Sequence, residues 1–146
     1  MPAEIIGVET ALRPYFRKRF LLSKPEKYFY NILREAFGAH TVLAKVRLAD
    51  LVEANRGHPN WQANFNRIKS KHIDFVVCDA WLCPLVAVEL DGSSHERADR
   101  QRRDALVDQI LADVSLEIVR VPRQKRYSHE EIRRLLLPKL NSSQLL

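Results

Sequence analysis

The segment Lys71-His-Ile-Asp-Phe-Val-Val-Cys-Asp79 is followed closely by Pro84-Leu-Val-Ala-Val-Glu-Leu-Asp-Gly92. Both segments are short apolar runs rich in valine, which is typical of buried β-strands. The polar and aromatic break from Asp79 to Pro84 has the length of a six-residue hairpin loop. We therefore expect an antiparallel hairpin at the centre of the fold, and the remaining elements to be arranged around it.

Three carboxylates lie inside these otherwise apolar strands. Side chains alternate between the two faces of a strand, so Glu89 and Asp91 share one face. If Cys78 pairs with Leu85, Asp74 stands directly opposite Glu89. Like charges in opposite positions destabilise a sheet, and a buried carboxylate is costly without a partner. The pattern therefore indicates that a divalent cation belongs among these acids.

The composition predicts a folded domain with a polyanionic partner. The chain has 146 residues, of which 46% are hydrophobic, and a formal net charge of +6. This length suffices for one domain with a sizeable core, and the positive charge favours nucleic acid or an anionic membrane surface. No apolar run approaches the roughly 20 residues of a membrane-spanning helix, and the first residues lack the plan of a signal peptide. We expect a cytoplasmic protein, without a membrane partner, that is a monomer or a homodimer.

The sequence divides into three parts. Residues 1–22 form a basic N-terminal arm in which Arg and Lys alternate with Tyr and Phe, and residues 23–140 form the folded domain. The arm would lie against the domain or against phosphates, or it would be a basic solvated segment. Residues 141–146 are expected to be a flexible tail.

The elements of the domain follow from capping signals and periodicity. Ser23-Lys-Pro-Glu26 is a helix start of the capping-box type, and that helix should run to about Phe37. His40 to Leu48 alternates as a strand with one face in the core. Val42, Ala44, Val46 and Leu48 share the buried face, and Lys45 and Arg47 lie on the other. Further predicted elements are a short helix from Asn60 to Ser70, the hairpin, a helix from Arg97 to Ala112, a strand from Leu116 to Val121, and a last helix that begins at Ser128 and is stopped by Pro138.

This mixture predicts an α/β fold. The hairpin is antiparallel, and helices separate the other strands, so we expect a mixed central β-sheet of about four strands flanked by helices.

The order of elements and acids resembles the PD-(D/E)XK nuclease superfamily. The residues that carry the resemblance are Ile73-Asp-Phe, then Val88-Glu-Leu-Asp-Gly-Ser-Ser-His95, then Asp99 and Arg103-Asp104, and then Val119-Arg-Val121. They are closest to the branch of very-short-patch-repair endonucleases and related bacterial domains of unknown function. The resemblance implies a restriction-endonuclease-like core and a bacterial, nucleoid-associated protein.

The resemblance also implies a catalytic set. Asp74 and Glu89 would hold Mg²⁺, with Mn²⁺ as a substitute, and Glu26 would add a third acid from the first helix. Asp91 is also expected in the catalytic set, although it stands where the superfamily usually has lysine, two residues after Glu89. His95 would supply a general acid or base in its place. Phosphate contacts are expected from five basic residues: Arg103, Arg120, Arg123, Lys125 and Arg126.

Several of these residues have a structural alternative. Asp74 and Glu89 would then be neutralised by arginine or lysine neighbours, and Asp91 with Gly92 would simply form a turn. Glu26 is already explained by the capping box. His95 precedes a helix, a position at which surface histidines are common.

Three functions compete on this basis. The first is a Mg²⁺-dependent endonuclease that hydrolyses DNA phosphodiester bonds in repair or restriction. The second is a nuclease-fold module that binds DNA but has lost catalysis with its lysine. The third is a hydrolase of smaller phosphate esters, against which the net charge of +6 counts.

Overall fold

A four-stranded mixed sheet forms the centre of the protein. The computed structural model describes residues 12–92 and 98–142. Within these ranges the elements are α1 (Lys24–Ala36), β1 (Thr41–Arg47), α2 (Leu48–Leu51), α3 (Trp61–Ile68), β2 (His72–Cys78), β3 (Pro84–Asp91), α4 (Ala98–Asp113), β4 (Glu117–Pro122) and α5 (His129–Ser142). The strand order is β1-β2-β3-β4. The predicted α/β class and the mixed sheet flanked by helices are confirmed.

The hairpin has the predicted register along most of its length. β1, β2 and β3 are antiparallel neighbours, whereas β4 runs parallel to β3. Val76 pairs with Ala87, as expected, and the register continues toward Asp74 and Glu89. At the loop end the prediction was wrong by one residue. Cys78 pairs with Pro84 across a local irregularity, so the loop has five residues.

Each face of the sheet buries its own hydrophobic core. The first face carries α1 and α5, with buried residues such as Phe29, Phe75 and Ile132. The second face carries α4 together with α2 and α3, with Val76, Ala87, Val107 and Leu111 among its buried residues. Both faces of the central strands are therefore covered, which explains why β2 and β3 are almost continuously apolar.

Helix α1 begins as its capping box predicts. The Ser23 hydroxyl accepts the Glu26 backbone N–H at 3.3 Å, and the Ser23 backbone N–H donates to Glu26 Oε1 at 2.8 Å. Two of the N–H groups that lack intrahelical partners are thus satisfied, an arrangement that stabilises a helix by about 1 kcal/mol. The apolar stripe of α1 is buried at Phe29, Ile32 and Leu33. The cap and this packing together fix Glu26 in the first turn of α1.

The alternation of side chains breaks in the middle of β1 and β2. Ala44 packs against the first face, but Val46 and Leu48 pack against the second. The expectation that these three residues share one face with Val42 was therefore wrong. The reason is Lys45, whose φ of 53° lies in the left-handed region and reverses the direction of the following side chains.

The same break appears in β2, where Ile73 packs on the second face although Phe75 packs on the first. Paired residues flank the break on both sides: Ala44 with Phe75, and Val46 with Ile73. Lys45 therefore lies across from Asp74 at the point where both strands change face.

The last helix is longer than predicted. Pro138 was expected to stop it, but α5 runs from His129 to Ser142 with Pro138 inside. Proline lacks the N–H of one helical hydrogen bond, and this cost is offset by burial. Leu136 and Leu140, on either side of Pro138, are buried in the first core. The predicted tail therefore begins as helix at residues 141 and 142, and residues 143–146 lie outside the described ranges.

Candidate active site

The carboxylates of Asp74 and Glu89 are held together by backbone groups of each other's strands. The Asp74 backbone N–H donates to Glu89 Oε2 at 3.0 Å, and the Leu90 backbone N–H donates to Asp74 Oδ2 at 2.9 Å. Each acid thus accepts a hydrogen bond from the strand that carries the other. The predicted convergence of these two acids is present in the structure.

Glu89 is the charged residue that is buried in the sheet, with 5% of its surface exposed. Burial raises the pKa of Glu89 above its ordinary value, and the nearby charge of Asp74 acts in the same direction. The hydrogen bond from the Asp74 backbone and the charge of Arg103 oppose this shift without cancelling it. A raised pKa with a specific charged neighbour is a common property of functional acids.

Arg103 of α4 is the described cationic partner of Glu89. Its Nη1 donates to Glu89 Oε1 and to Asp104 Oδ1, both at 3.0 Å, and its Nη2 donates to the His72 carbonyl at 2.7 Å. The guanidinium therefore joins the helix to the acid end of the hairpin. The role in phosphate binding that we expected of Arg103 stays a prediction, because here it contacts carboxylates.

Arg120 extends the same network on β4. It pairs with Asp108 at 2.7 Å and lies 3.7 Å from Asp104. The network of four carboxylates and two guanidiniums, Asp74, Glu89, Asp104, Asp108, Arg103 and Arg120, has a formal charge of −2. One divalent cation would balance it.

Glu26 of α1 contacts a lysine of β1. Glu26 Oε2 lies 3.6 Å from Lys45 Nζ, and Lys45 is across the sheet from Asp74. Partial burial acts to raise the pKa of Glu26, but hydrogen bonds from Ser23 and the charge of Lys45 together hold that pKa below its ordinary value. Glu26 is therefore a helix cap that also contacts a lysine of β1. Its expected role as a third metal ligand stays a prediction.

Lys45 is the residue that the sequence analysis missed. Its expected place on the solvent face of β1 agrees with its exposed side chain, but its backbone is in the left-handed region, which costs a non-glycine residue roughly 1–3 kcal/mol. Such strain is retained where the surroundings impose it, and it is frequent at active sites. The sequence carries only one sign of this residue, a lysine that alternates with apolar residues along a predicted strand.

Comparison with known proteins gives one match. A family model described as "Protein of unknown function (DUF2726)" matches residues 18–140. The chain belongs to the DUF2726 family. No curated protein and no solved structure matches the chain.

The match covers every strand of this DUF2726 protein and each acid of the site. Asp91 ends β3, where its carbonyl accepts the Arg123 backbone N–H at 3.0 Å. His95 lies in residues 93–97, outside the described ranges, so its predicted role is a prediction still. Among the residues that the structure describes, no group of three His, Cys, Asp or Glu side chains is close enough to hold a metal ion. Asp74 and Glu89 are thus brought together, whereas Glu26 contacts Lys45, whose backbone lies across from Asp74.

A basic turn lies at the same end of the DUF2726 sheet. Arg123, Lys125 and Arg126 follow β4 and are exposed. The Arg123 guanidinium lies close to Gly92, with its carbon 3.8 Å from the position that a Cβ on Gly92 would take. Exposed cations at the same end of the sheet as Asp74 and Glu89 suit an extended anionic ligand. Within the described ranges, no helix is both long and apolar enough to span a membrane.

Proposed function

We propose that this DUF2726 protein is a Mg²⁺-dependent endonuclease with a restriction-endonuclease-like core, which hydrolyses phosphodiester bonds of DNA. The observation that carries the proposal is the paired position of Asp74 and Glu89, two acids held by backbone N–H groups on adjacent central strands. Two such acids, one of them almost fully buried, destabilise a fold, and a bound cation would offset that cost.

The residues present suit a hard divalent cation. Carboxylate oxygens are the protein ligands of Mg²⁺, which is commonly held by one or two carboxylates together with waters and substrate phosphate. Asp74 and Glu89 would hold the ion, and the surrounding network supplies the −2 charge that balances it. Bound there, the ion would polarise the scissile phosphate and lower the pKa of water.

The other residues would position the substrate. The Arg103 guanidinium is itself held by Asp104 and by the His72 carbonyl. Because it is fixed in this way, its Nη1 contact would keep the Glu89 carboxylate in one orientation. Lys45 would carry the positive charge that the superfamily places two residues after the glutamate, where this chain has Asp91. From β1, its ammonium group would stabilise negative charge that develops on the phosphate.

The exposed Arg123, Lys125 and Arg126 would bind backbone phosphates on the same side of the sheet. Because these contacts read no base, they would position DNA without selecting a sequence.

A cleavage assay tests the proposal. Supercoiled plasmid is incubated with wild type, Glu89→Gln or Asp79→Asn in Mg²⁺ or Mn²⁺, and nicked and linear products are measured over time. We expect cleavage by wild type and by Asp79→Asn, and none by Glu89→Gln. Equal cleavage by wild type and Glu89→Gln would contradict the proposal, because a contaminating nuclease would then explain the products.

One observation favours a second candidate, a nuclease-fold module that binds DNA without cleaving it. Arg103 already occupies one oxygen of Glu89 at 3.0 Å, so the acid has a partner without an ion. For this candidate we expect DNA binding at low salt, where the phosphate interaction is strongest, and no cleavage with any divalent metal.

A further inference from the structure

Residues 12–22 form an exposed segment in front of α1, which we call the aromatic segment. It contains no helix or strand, and its three aromatic rings are exposed to solvent: Tyr15 is 86% exposed, Phe16 66% and Phe20 68%. Exposed large apolar groups that lie close together usually mark a binding surface. The segment is therefore a candidate for contact with a partner.

The charge of the aromatic segment indicates the kind of partner. Four cations, Arg13, Arg17, Lys18 and Arg19, alternate with the rings, and residues 12–22 contain no Asp or Glu. The Arg19 guanidinium lies 5.1 Å from the centre of the Phe20 ring, so one cation and one ring of the segment lie side by side. A surface of this composition is complementary to a ligand with both negative charge and flat apolar faces.

The aromatic segment enters the fold at the start of α1, whose first turn contacts β1. Leu22 packs against the first core and Ser23 caps α1. Three residues later, Glu26 contacts Lys45, which lies across from Asp74. A nucleic-acid strand whose phosphate sits at Asp74 and Glu89 would therefore reach the segment with its flanking nucleotides.

We propose that the aromatic segment binds unpaired nucleotides that flank the cleaved phosphodiester bond, so that the substrate is DNA with a single-stranded part. The inference rests on the proposed nuclease function and defines its substrate. Bases in a duplex are stacked on each other and offer no free face, whereas unpaired bases stack on aromatic rings. Tyr15, Phe16 and Phe20 would take bases, and the intervening cations would contact phosphates.

Binding without metal tests this proposal separately from cleavage. Fluorescence anisotropy in EDTA measures the affinity of the full chain for a labelled oligo-dT of 20 nucleotides and for a blunt duplex of 20 base pairs. Stacking on one ring contributes about ten-fold or more to affinity. We expect the triple variant Tyr15→Ala/Phe16→Ala/Phe20→Ala to bind oligo-dT at least about 100-fold more weakly, with the duplex affinity changed less than three-fold.

A matched variant controls for the loss of exposed apolar surface. Leu12 and Leu21 lie in the same segment and are 80% and 74% exposed, but they have no ring. The double variant Leu12→Ala/Leu21→Ala should bind oligo-dT within about two-fold of wild type. Because all five side chains are exposed, both variants should keep the far-ultraviolet circular dichroism and the Tm of wild type.

Three results would overturn the proposal. The first is oligo-dT binding by the triple variant at wild-type affinity, and the second is an equal loss of duplex binding. The third is a wild-type dimer in sedimentation that the triple variant loses, because the rings would then contact a second copy of the chain. Oligo-dT binding that depends on the rings supports the inference even if no variant cleaves DNA, in which case the nuclease proposal alone fails.

Discussion

The acidic residues at the two ends of the β2–β3 hairpin accept hydrogen bonds from different parts of the chain. At the loop end, Asp79 Oδ1 accepts the backbone N–H groups of Trp81 and Cys83, both at 2.9 Å and both within four residues. At the other end, Asp74 and Glu89 reach across the sheet to N–H groups about fifteen residues away. Both ends satisfy their acids with backbone donors, but only the first does so locally.

The difference shows which acid a turn explains. Asp79 forms a local side-chain turn of the kind that fixes many loops. Asp74 and Glu89 lie close together, and only 5% of the Glu89 surface is exposed to solvent. Proximity and burial both disfavour two negative charges. The loop end is therefore structural, whereas the acid end has a cost that a cation would relieve.

The largest expected effect separates the two ends by activity. Asp74→Asn and Glu89→Gln remove charge from the proposed ion site, and ion catalysis contributes several kcal/mol, so we expect cleavage rates to fall by about 10³-fold or more. Asp79→Asn keeps an acceptor oxygen for the loop and should stay within about three-fold. Initial rates of plasmid nicking in Mn²⁺ measure all three. Equal losses of nicking rate in Asp74→Asn and Asp79→Asn would show that the acid end contributes no more to cleavage than the loop end.

The next effect concerns Lys45. Glycine adopts positive φ without strain, so Lys45→Gly should raise the free energy of unfolding by about 0.5–1 kcal/mol. Loss of the ammonium group should lower kcat by about 10²-fold. Urea unfolding and plasmid nicking measure the two effects on the same preparation.

Ser115 provides the matched control for Lys45. Its φ is 59°, and it lies in the turn before β4. Ser115→Gly should gain similar stability with activity unchanged. A Lys45→Gly variant that is as active as wild type would remove Lys45 from the site, and Lys45→Arg should recover part of the rate if charge is the cause.

A smaller effect concerns the stability of the acid end. Arg103→Ala leaves Glu89 buried without its guanidinium, and we expect a loss of about 2 kcal/mol in the free energy of unfolding. This is below the value for fully buried pairs because the Arg103 side chain is 28% exposed. Arg134→Ala breaks an exposed pair with Glu130 and should cost less than about 0.5 kcal/mol. If both variants lose the same stability, Glu89 is not held by Arg103.

The smallest effect is the pH dependence that Glu89 imposes. Because its pKa is raised in the folded protein, the folded state keeps this proton to higher pH than the unfolded chain. Stability should therefore fall as the pH rises from the ordinary glutamate pKa, about 4.3, through the raised pKa, and then level off. The measurement is the difference in unfolding free energy between wild type and Glu89→Gln in EDTA. A difference that grows in favour of wild type with pH would have the wrong sign.

Sequence alone gave the sheet and the acid pair. Alternation in two short apolar runs was enough to place Asp74 opposite Glu89, because register in a hairpin follows from side-chain period and loop length. The capping box gave the start of α1, since its geometry depends only on residues 23–26. These features are local, or they follow from pairing between neighbours in sequence.

The features that sequence did not give depend on contacts between distant elements. Lysine has no preference for positive φ, so neither the left-handed Lys45 nor the change of face that it causes could be predicted. Arg103 was chosen for phosphate, whereas the packing of α4 directs it to Glu89. Pro138 was expected to end a helix that burial of Leu136 and Leu140 continues. In each case tertiary packing outweighs the local preference.

Titration with Mn²⁺ tests the central claim most directly, that the acid end of the hairpin holds a divalent cation. Isothermal titration calorimetry on wild type, Asp74→Asn, Glu89→Gln and Asp79→Asn, with and without a phosphorothioate duplex that carries a single-stranded end, measures the number of ions bound and their affinity. We predict one ion in wild type and Asp79→Asn, and its loss in the other two. Failure of wild type to bind Mn²⁺ in both conditions, or equal binding by all four proteins, would contradict the account.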